Sequence, residues 1–163
     1  MSRQRRGEIL RHSVLDRLVG DESGPSRGGD LRIGLEDLRR MIRRDLEWLL
    51  NTRLVAGDML EGYEEAGKSI LAFGLNDLST YSTKSAVDSA AICDMITKAV
   101  RAFEPRLAKR SVKVEFLPSN DVTDLRMHFR IAAMIHVDPI SEPVTFDTAF
   151  DRESGAVTVQ ENM

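Results

Sequence analysis

The sequence carries a single cysteine, Cys93, in 163 residues. One cysteine excludes an intramolecular disulfide framework and the paired-cysteine motifs of zinc and redox sites, and it fits a reducing cytosol. Cys93 lies in the helical pattern DSAAICDMI, where a small buried hydrophobe is the expected role rather than a reactive thiol. Long apolar runs are also missing. No stretch approaches the roughly 20 residues that span a bilayer, and the basic start MSRQRRGEILRHSVLDRLVG lacks the apolar core of a secretory signal. The expectation is a cytoplasmic chain with no membrane insertion. Only three histidines occur, His12, His128 and His136. The last two share one face of an expected strand but stand about 26 Å apart in extended geometry, too far to share a metal. No P-loop and no Ser/His/Asp arrangement appears, no internal repeat is visible, and no motif calls for a cofactor.

Charge excess of either sign is lacking as well. The net charge is −3, which makes no demand for nucleic acid. Its distribution is uneven: residues 1–53 carry 12 Lys/Arg against 9 Asp/Glu, whereas residues 54–163 carry 11 against 17. Two electrostatic ends suit a part of an assembly as well as an enzyme. The length suffices for one compact domain with a real core.

Hydrophobic spacing supplies the elements. In residues 8–19, EILRHSVLDRLV, Ile9, Leu10, Val14, Leu15 and Leu18 form one helical stripe. Residues 20–30, GDESGPSRGGD, have the Gly, Pro and Ser content of a flexible linker. The expected organisation is therefore a tethered amphipathic helix (1–19), a linker (20–30) and a domain (31–163). The tethered helix either packs on its own domain or docks on a partner. Residues 35–50 read as the clearest helix, with Leu35, Leu38, Ile42, Leu46 and Leu49 in register. Arg39, Arg40, Arg43 and Arg44 flank it. They form either a solvated face with Glu36–Arg40 and Arg43–Glu47 pairs or, with Trp48, a docking surface. Asn51 is expected to end the helix in a left-handed conformation. Residues 63–81 read as a loop with short turns. A second helix is expected from about Thr83 to Phe103 through Val87, Ile92, Met95, Ile96, Ala99 and Val100, with Ser85 and Asp88 as a capping pair.

Beyond residue 110 the period changes to two. SVKVEF, MHFRIAAMIHV, VTFDTAF and AVTVQ each alternate, and DRESG turns the chain between the last two. His128, Arg130 and His136 fall on the polar face. The fold class is α+β: helices packed on one face of a mainly antiparallel sheet of about four strands.

Among the carboxylates Glu47, Glu64, Glu65, Asp94 and Glu104, spacing singles out no catalytic pair. Glu104 is odd for a different reason. It ends a helix, where its charge opposes the macrodipole, and Pro105 holds it out of the helical region. Lys98, Arg101 and Arg106 are near enough to soften that charge. Glu104 is either one half of an Arg–carboxylate clamp inside the fold or an acceptor for another chain's donors, with catalysis behind both.

Four segments, SVLDRL (13–18), RRDLEWLLNTR (43–53), SILAFGLNDLS (69–79) and FEPRL (103–107), stand in an order and spacing that resembles the TssE family, the small baseplate subunits of type VI secretion systems. That family is similar to the phage baseplate wedge proteins labelled lysozyme-like. The resemblance spans residue 9 to about 150, and Asn76 departs from the proline often found there. It implies a structural, non-enzymatic part of a wedge with TssF and TssG, with TssK bound to it. Its place would be where the sheath of TssB and TssC begins, at the inner face of a membrane-docked baseplate. It implies interaction roles for Glu104, Pro105 and Arg106 and for Leu50, Asn51, Thr52 and Arg53. The helix positions Val14, Leu15 and Leu18 are candidate contacts on periodicity alone. The alternatives are a peptidoglycan hydrolase acting with a secretion machine, or a prophage tail baseplate protein.

Overall fold

The computed structural model describes residues 34–54, 60, 62–82, 85–119, 124, 126–137 and 140–162. The expected helix and linker of residues 8–30, with Val14, Leu15 and Leu18, lie outside them. The chain forms two compact units, Met1–Arg40 and Met41–Met163. Among the described residues the first helix, α1, runs Leu35–Asn51. Three short 3-10 turns follow at Ala66–Lys68, Ile70–Ala72 and Leu78–Thr80, then α2 at Ala86–Phe103 and the strands β1 (Lys113–Leu117), β2 (Met127–Val137), β3 (Ile140–Phe150) and β4 (Val157–Glu161). The strands form one antiparallel sheet in the order β1-β2-β3-β4. The α+β reading and the meander are thus observed.

Alternation along the strands separates two faces. Phe116, Phe129, Thr148 and Val159 share one inward row, and Val114, Ile131 and Phe146 the next. Met127, Phe129, Ile131, Ala133 and Ile135 of β2 are all buried, as are Val144, Phe146 and Phe150 of β3 and Val157 and Val159 of β4. Thr148 is tolerated in this row because its hydroxyl donates to Phe129 O at 3.2 Å. Helix α1 adds Ile42, Leu46 and Leu49, each at most 2% exposed. Full burial of such side chains stabilises by about 1.5–3 kcal/mol each. Helix α2 lies against β1 and buries Ser89, Ile92, Ile96, Ala99 and Val100. Val87, expected on that stripe, is instead 78% exposed. It stands nine residues from Ile96, about half a turn out of phase at 100° per residue.

The helix ends follow local chemistry. Ser85 Oγ accepts Asp88 N–H at 3.1 Å, as the capping reading predicts, while Asp88 accepts the Ser82 N–H at 2.8 Å. The α1 terminus differs from expectation. Among the described residues no non-glycine has a positive φ, so Asn51 is not a left-handed cap. Its side chain is used instead, donating to Glu47 O at 2.7 Å, and Thr52 Oγ1 donates to Trp48 O at 2.7 Å. On the α1 surface Arg43 pairs with Glu47 at 3.3 Å as expected, but Arg40 takes Asp37 and Arg39 takes Glu36.

The chain leaving α1 is stitched to the turn region. Leu75 N–H donates to Thr52 O at 2.9 Å and Leu54 N–H to Leu75 O at 2.8 Å. This close approach requires Gly74, whose φ is +122° and where a Cβ would sit 2.4 Å from Thr52 O. Gly74→Ala should therefore cost on the order of 2 kcal/mol, read as a lower urea midpoint. Gly67→Ala, where a Cβ would meet nothing within 4 Å, should be close to neutral. Equal midpoints for the two variants would contradict the stitched junction.

Candidate functional site

The segment after α2 makes a charged corner. Pro105 has no N–H to continue the helix and pushes Glu104 to φ −111°, ψ 87°, while the Glu104 amide still closes the last turn on Val100 O at 2.9 Å. The next residues return along the sheet. Ala108 N–H donates to Met134 O at 2.8 Å, and His136 N–H donates to Arg106 O at 2.7 Å, with Leu107 buried opposite Ile135. This backbone pairing fixes where the Glu104 and Arg106 side chains start.

Those side chains close on each other. Glu104 Oε1 accepts the Arg106 backbone N–H at 3.0 Å and Nε–H at 2.7 Å, while Oε2 accepts Nη2–H at 2.5 Å. Arg106 Nη2 also donates to Asp45 Oδ2 on α1 at 2.5 Å. Side-chain exposure is 4% for Glu104, 20% for Arg106 and 26% for Asp45. Burial by itself would lower the Arg106 pKa; the hydrogen bond and charge of Glu104, then those of Asp45, outweigh it and raise it above its ordinary value. Asp45 Oδ1 in turn accepts Arg44 Nε–H at 3.1 Å and Nη2–H at 3.0 Å, and the Arg44 guanidinium lies 4.7 Å from the ring centre of Trp48. Two carboxylates and two guanidiniums thus form a charge-balanced chain from a buried acid to a half-exposed indole.

The corner answers the doubt over Glu104: it is one half of an internal clamp. Arg101 and Lys98, the other expected softeners, are engaged elsewhere, with Val112 O at 3.0 Å and Asp94 at 2.7 Å. Pro105 is exposed. Of the second motif, Leu50 is buried, Asn51 binds Val157, Thr52 caps α1, and Arg53 pairs with Asp77 at 3.2 Å. Only Glu104, Pro105 and Arg106 stand together at the corner. Asp45 was not singled out from the sequence, because 61 positions separate it from Arg106 and no local pattern joins them. Of the other carboxylates, Glu47 faces Arg43, Glu65 faces Lys68 and Asp94 faces Lys98.

The solvent face of the sheet carries a second polar group. Arg130 forks onto Asp147 at 2.7 and 3.1 Å. Asp124 Oδ2 lies 2.7 Å from His128 Nε2, and its Oδ1 accepts Arg126 N–H and Nε–H at 3.1 and 3.0 Å. His128 first, then the Arg126 donors, hold the Asp124 carboxyl far below the ordinary aspartate value of 3.8.

A family model described as baseplate wedge protein gp25 matches residues 36–140, a span that takes in α1 from its second residue, α2, the corner, β1 and β2, and ends at the first residue of β3. No curated protein and no solved structure matches the chain.

Two outcomes follow from this geometry. Arg106→Ala strands a buried carboxylate and should cost roughly 3–5 kcal/mol of stability, measured by denaturant titration; a loss below about 1 kcal/mol, the range of an exposed pair, would show that the clamp is a surface contact. The Asp124 contribution has the sign of a depressed acid. It is fully present above pH 3.8 and is lost as pH falls towards the folded-state value. Asp124→Asn should flatten that acid limb in thermal melts, and an unchanged limb would contradict the pairing.

Proposed function

The chain belongs to the baseplate wedge protein gp25 family, and on that premise we propose that it is the TssE-type wedge subunit of a type VI secretion baseplate. Its partners would be TssF and TssG, with TssK bound alongside, and it would act from the cytoplasm at a membrane-docked baseplate. Its role is structural, in keeping with a family of baseplate components. The observation that carries this reading is the corner at Glu104, Pro105 and Arg106. The clamp holds an exposed proline and the Arg44–Trp48 stack in fixed positions. Rigid, pre-ordered arginine and tryptophan side chains are favoured anchors in protein interfaces.

The sheet supports the second half of the proposal, that the subunit starts sheath assembly by giving TssB and TssC an edge on which to add a strand. Backbone groups along a strand point alternately to its two sides. Even-numbered residues of β2 face β1, as the bonds of Met134 and His136 show, so Lys113, Glu115 and Leu117 pair with them. Val114 therefore turns its N–H and C=O away from the sheet. It does so beside a groove of about 450 Å³ lined by Ala86, Ser89, Ala90, Cys93, Val114, Glu115 and Phe116. An extended segment laid there would find backbone partners and an apolar floor.

Co-purification with wedge subunits tests the first half. The wild type should bring them down, and Arg106→Ala, verified as folded by circular dichroism, should not. A folded variant that retains the wedge would contradict the corner as an anchor. Val114→Pro tests the second half, since it removes the outward donor and leaves the β1–β2 ladder intact. It should join baseplates yet fail to seed sheaths; normal sheath foci would sink the edge proposal.

A further inference from the structure

Strand β4 ends the sheet on the side away from β1, and an end strand presents a row of backbone groups to any other chain. Asn162 N–H donates to Thr145 O and Asp151 N–H to Ala156 O, so the even-numbered residues of β4 face β3. Val157 and Val159 consequently face outward. Three of their four backbone groups are met by side chains of α1. Asn51 Oδ1 accepts the Val157 N–H at 2.8 Å, and Asn51 Nδ2 donates to Val157 O at 2.8 Å. A residue of a neighbouring antiparallel strand offers this same acceptor and donor together. The amide of Asn51 therefore does the work of one residue of a fifth strand. Its other Nδ2 hydrogen is bound to Glu47 O at 2.7 Å, which fixes the amide on the helix. Two turns earlier, Arg43 Nη1 donates to Val159 O at 3.2 Å and is steadied by Glu47 Oε2 at 3.3 Å.

The other open stretches are treated differently. Just before β1, Arg101 covers Val112 O at 3.0 Å, and Val114 and Phe116 are the residues of β1 whose backbone groups face outward. On β3, the arm that runs past the end of β4 turns Pro143 outward, a residue with no donor to offer.

We propose that Arg43 and Asn51 are an edge guard, a strand surrogate carried by α1 that keeps β4 from pairing with a second copy of this chain. A second copy is the natural occupant of the opened edge. Two β4 edges related by a twofold axis run antiparallel and present the same self-complementary groups to each other. With β4 closed and Pro143 on the β3 arm, strand acceptance is confined to β1, so assembly through the sheet has one direction. That last step rests on the strand-acceptor reading given above. The guard itself does not, and its test needs no wedge or sheath protein, so either idea can fail alone.

The test is sedimentation velocity of the full chain over a wide concentration range. The wild type should remain monomeric, and Arg43→Ala/Asn51→Ala should dimerise with increasing concentration. Thr158→Lys with Gln160→Lys, placed on exposed positions of β4, should return that variant to a monomer. In the monomer, Asn51→Ala should speed amide exchange at Val157 by roughly five- to tenfold. A double variant that stays monomeric overturns the guard, whatever its exchange rates. So does a dimer that survives the added lysines. If the double variant does not fold, Asn51→Ala alone is judged by the same criteria, and its remaining monomeric is equally fatal.

Discussion

The grip of Arg106 on Glu104 and Asp45 is the constraint on which the rest of the molecule turns. Three parts of the chain meet there: the end of α2, the segment that pairs with β2, and the middle of α1. A carboxylate as buried as Glu104 is costly without a partner, and a guanidinium fork is the side chain best matched to it. Replacing the whole cluster by apolar residues of similar volume need not be destabilising, since burying ion pairs carries its own desolvation cost. What an apolar replacement would lose is direction. The fork fixes Arg106 in angle as well as in distance, and Asp45 passes that constraint to Arg44 and Trp48. A wedge subunit needs a surface of fixed shape more than it needs extra stability.

The helices have a second duty besides covering the core. Each sends polar side chains over the rim of the sheet, α1 to β4 through Asn51 and Arg43 and α2 to Val112, just ahead of β1, through Arg101. These bonds satisfy backbone groups that would otherwise be open to any strand. The result is a sheet whose edges are managed individually. Such control limits which strand could join the sheet and where.

How much of this could be read from the sequence depended on the range of the cause. Alternation in MHFRIAAMIHV and VTFDTAF placed β2 and β3 because burial of one face acts residue by residue. Pro105 placed the end of α2 because its ring acts on the residue before it. Ser85 placed the start of α2 for a similar local reason. The Asn51 cap was misjudged because the amide is taken by Val157, 106 positions away. Asp45 went unnoticed for the same kind of reason. It sits on an ordinary charged helix face and becomes special only when the fold brings Arg106 to it. Val87 misled because an apolar side chain in a first helical turn fits the composition of the stripe without fitting its phase.

The account stands most directly on whether Asp45 and Arg106 act as one unit. A double-mutant cycle on unfolding free energy, with Asp45→Asn, Arg106→Gln and the pair, isolates their coupling. The clamp predicts a coupling of at least about 1 kcal/mol, since both side chains are largely withdrawn from water and share one bond at 2.5 Å. Effects that simply add, to within about 0.3–0.5 kcal/mol, would mean that α1 and the Glu-Pro-Arg corner are not tied together, and the central claim would fall.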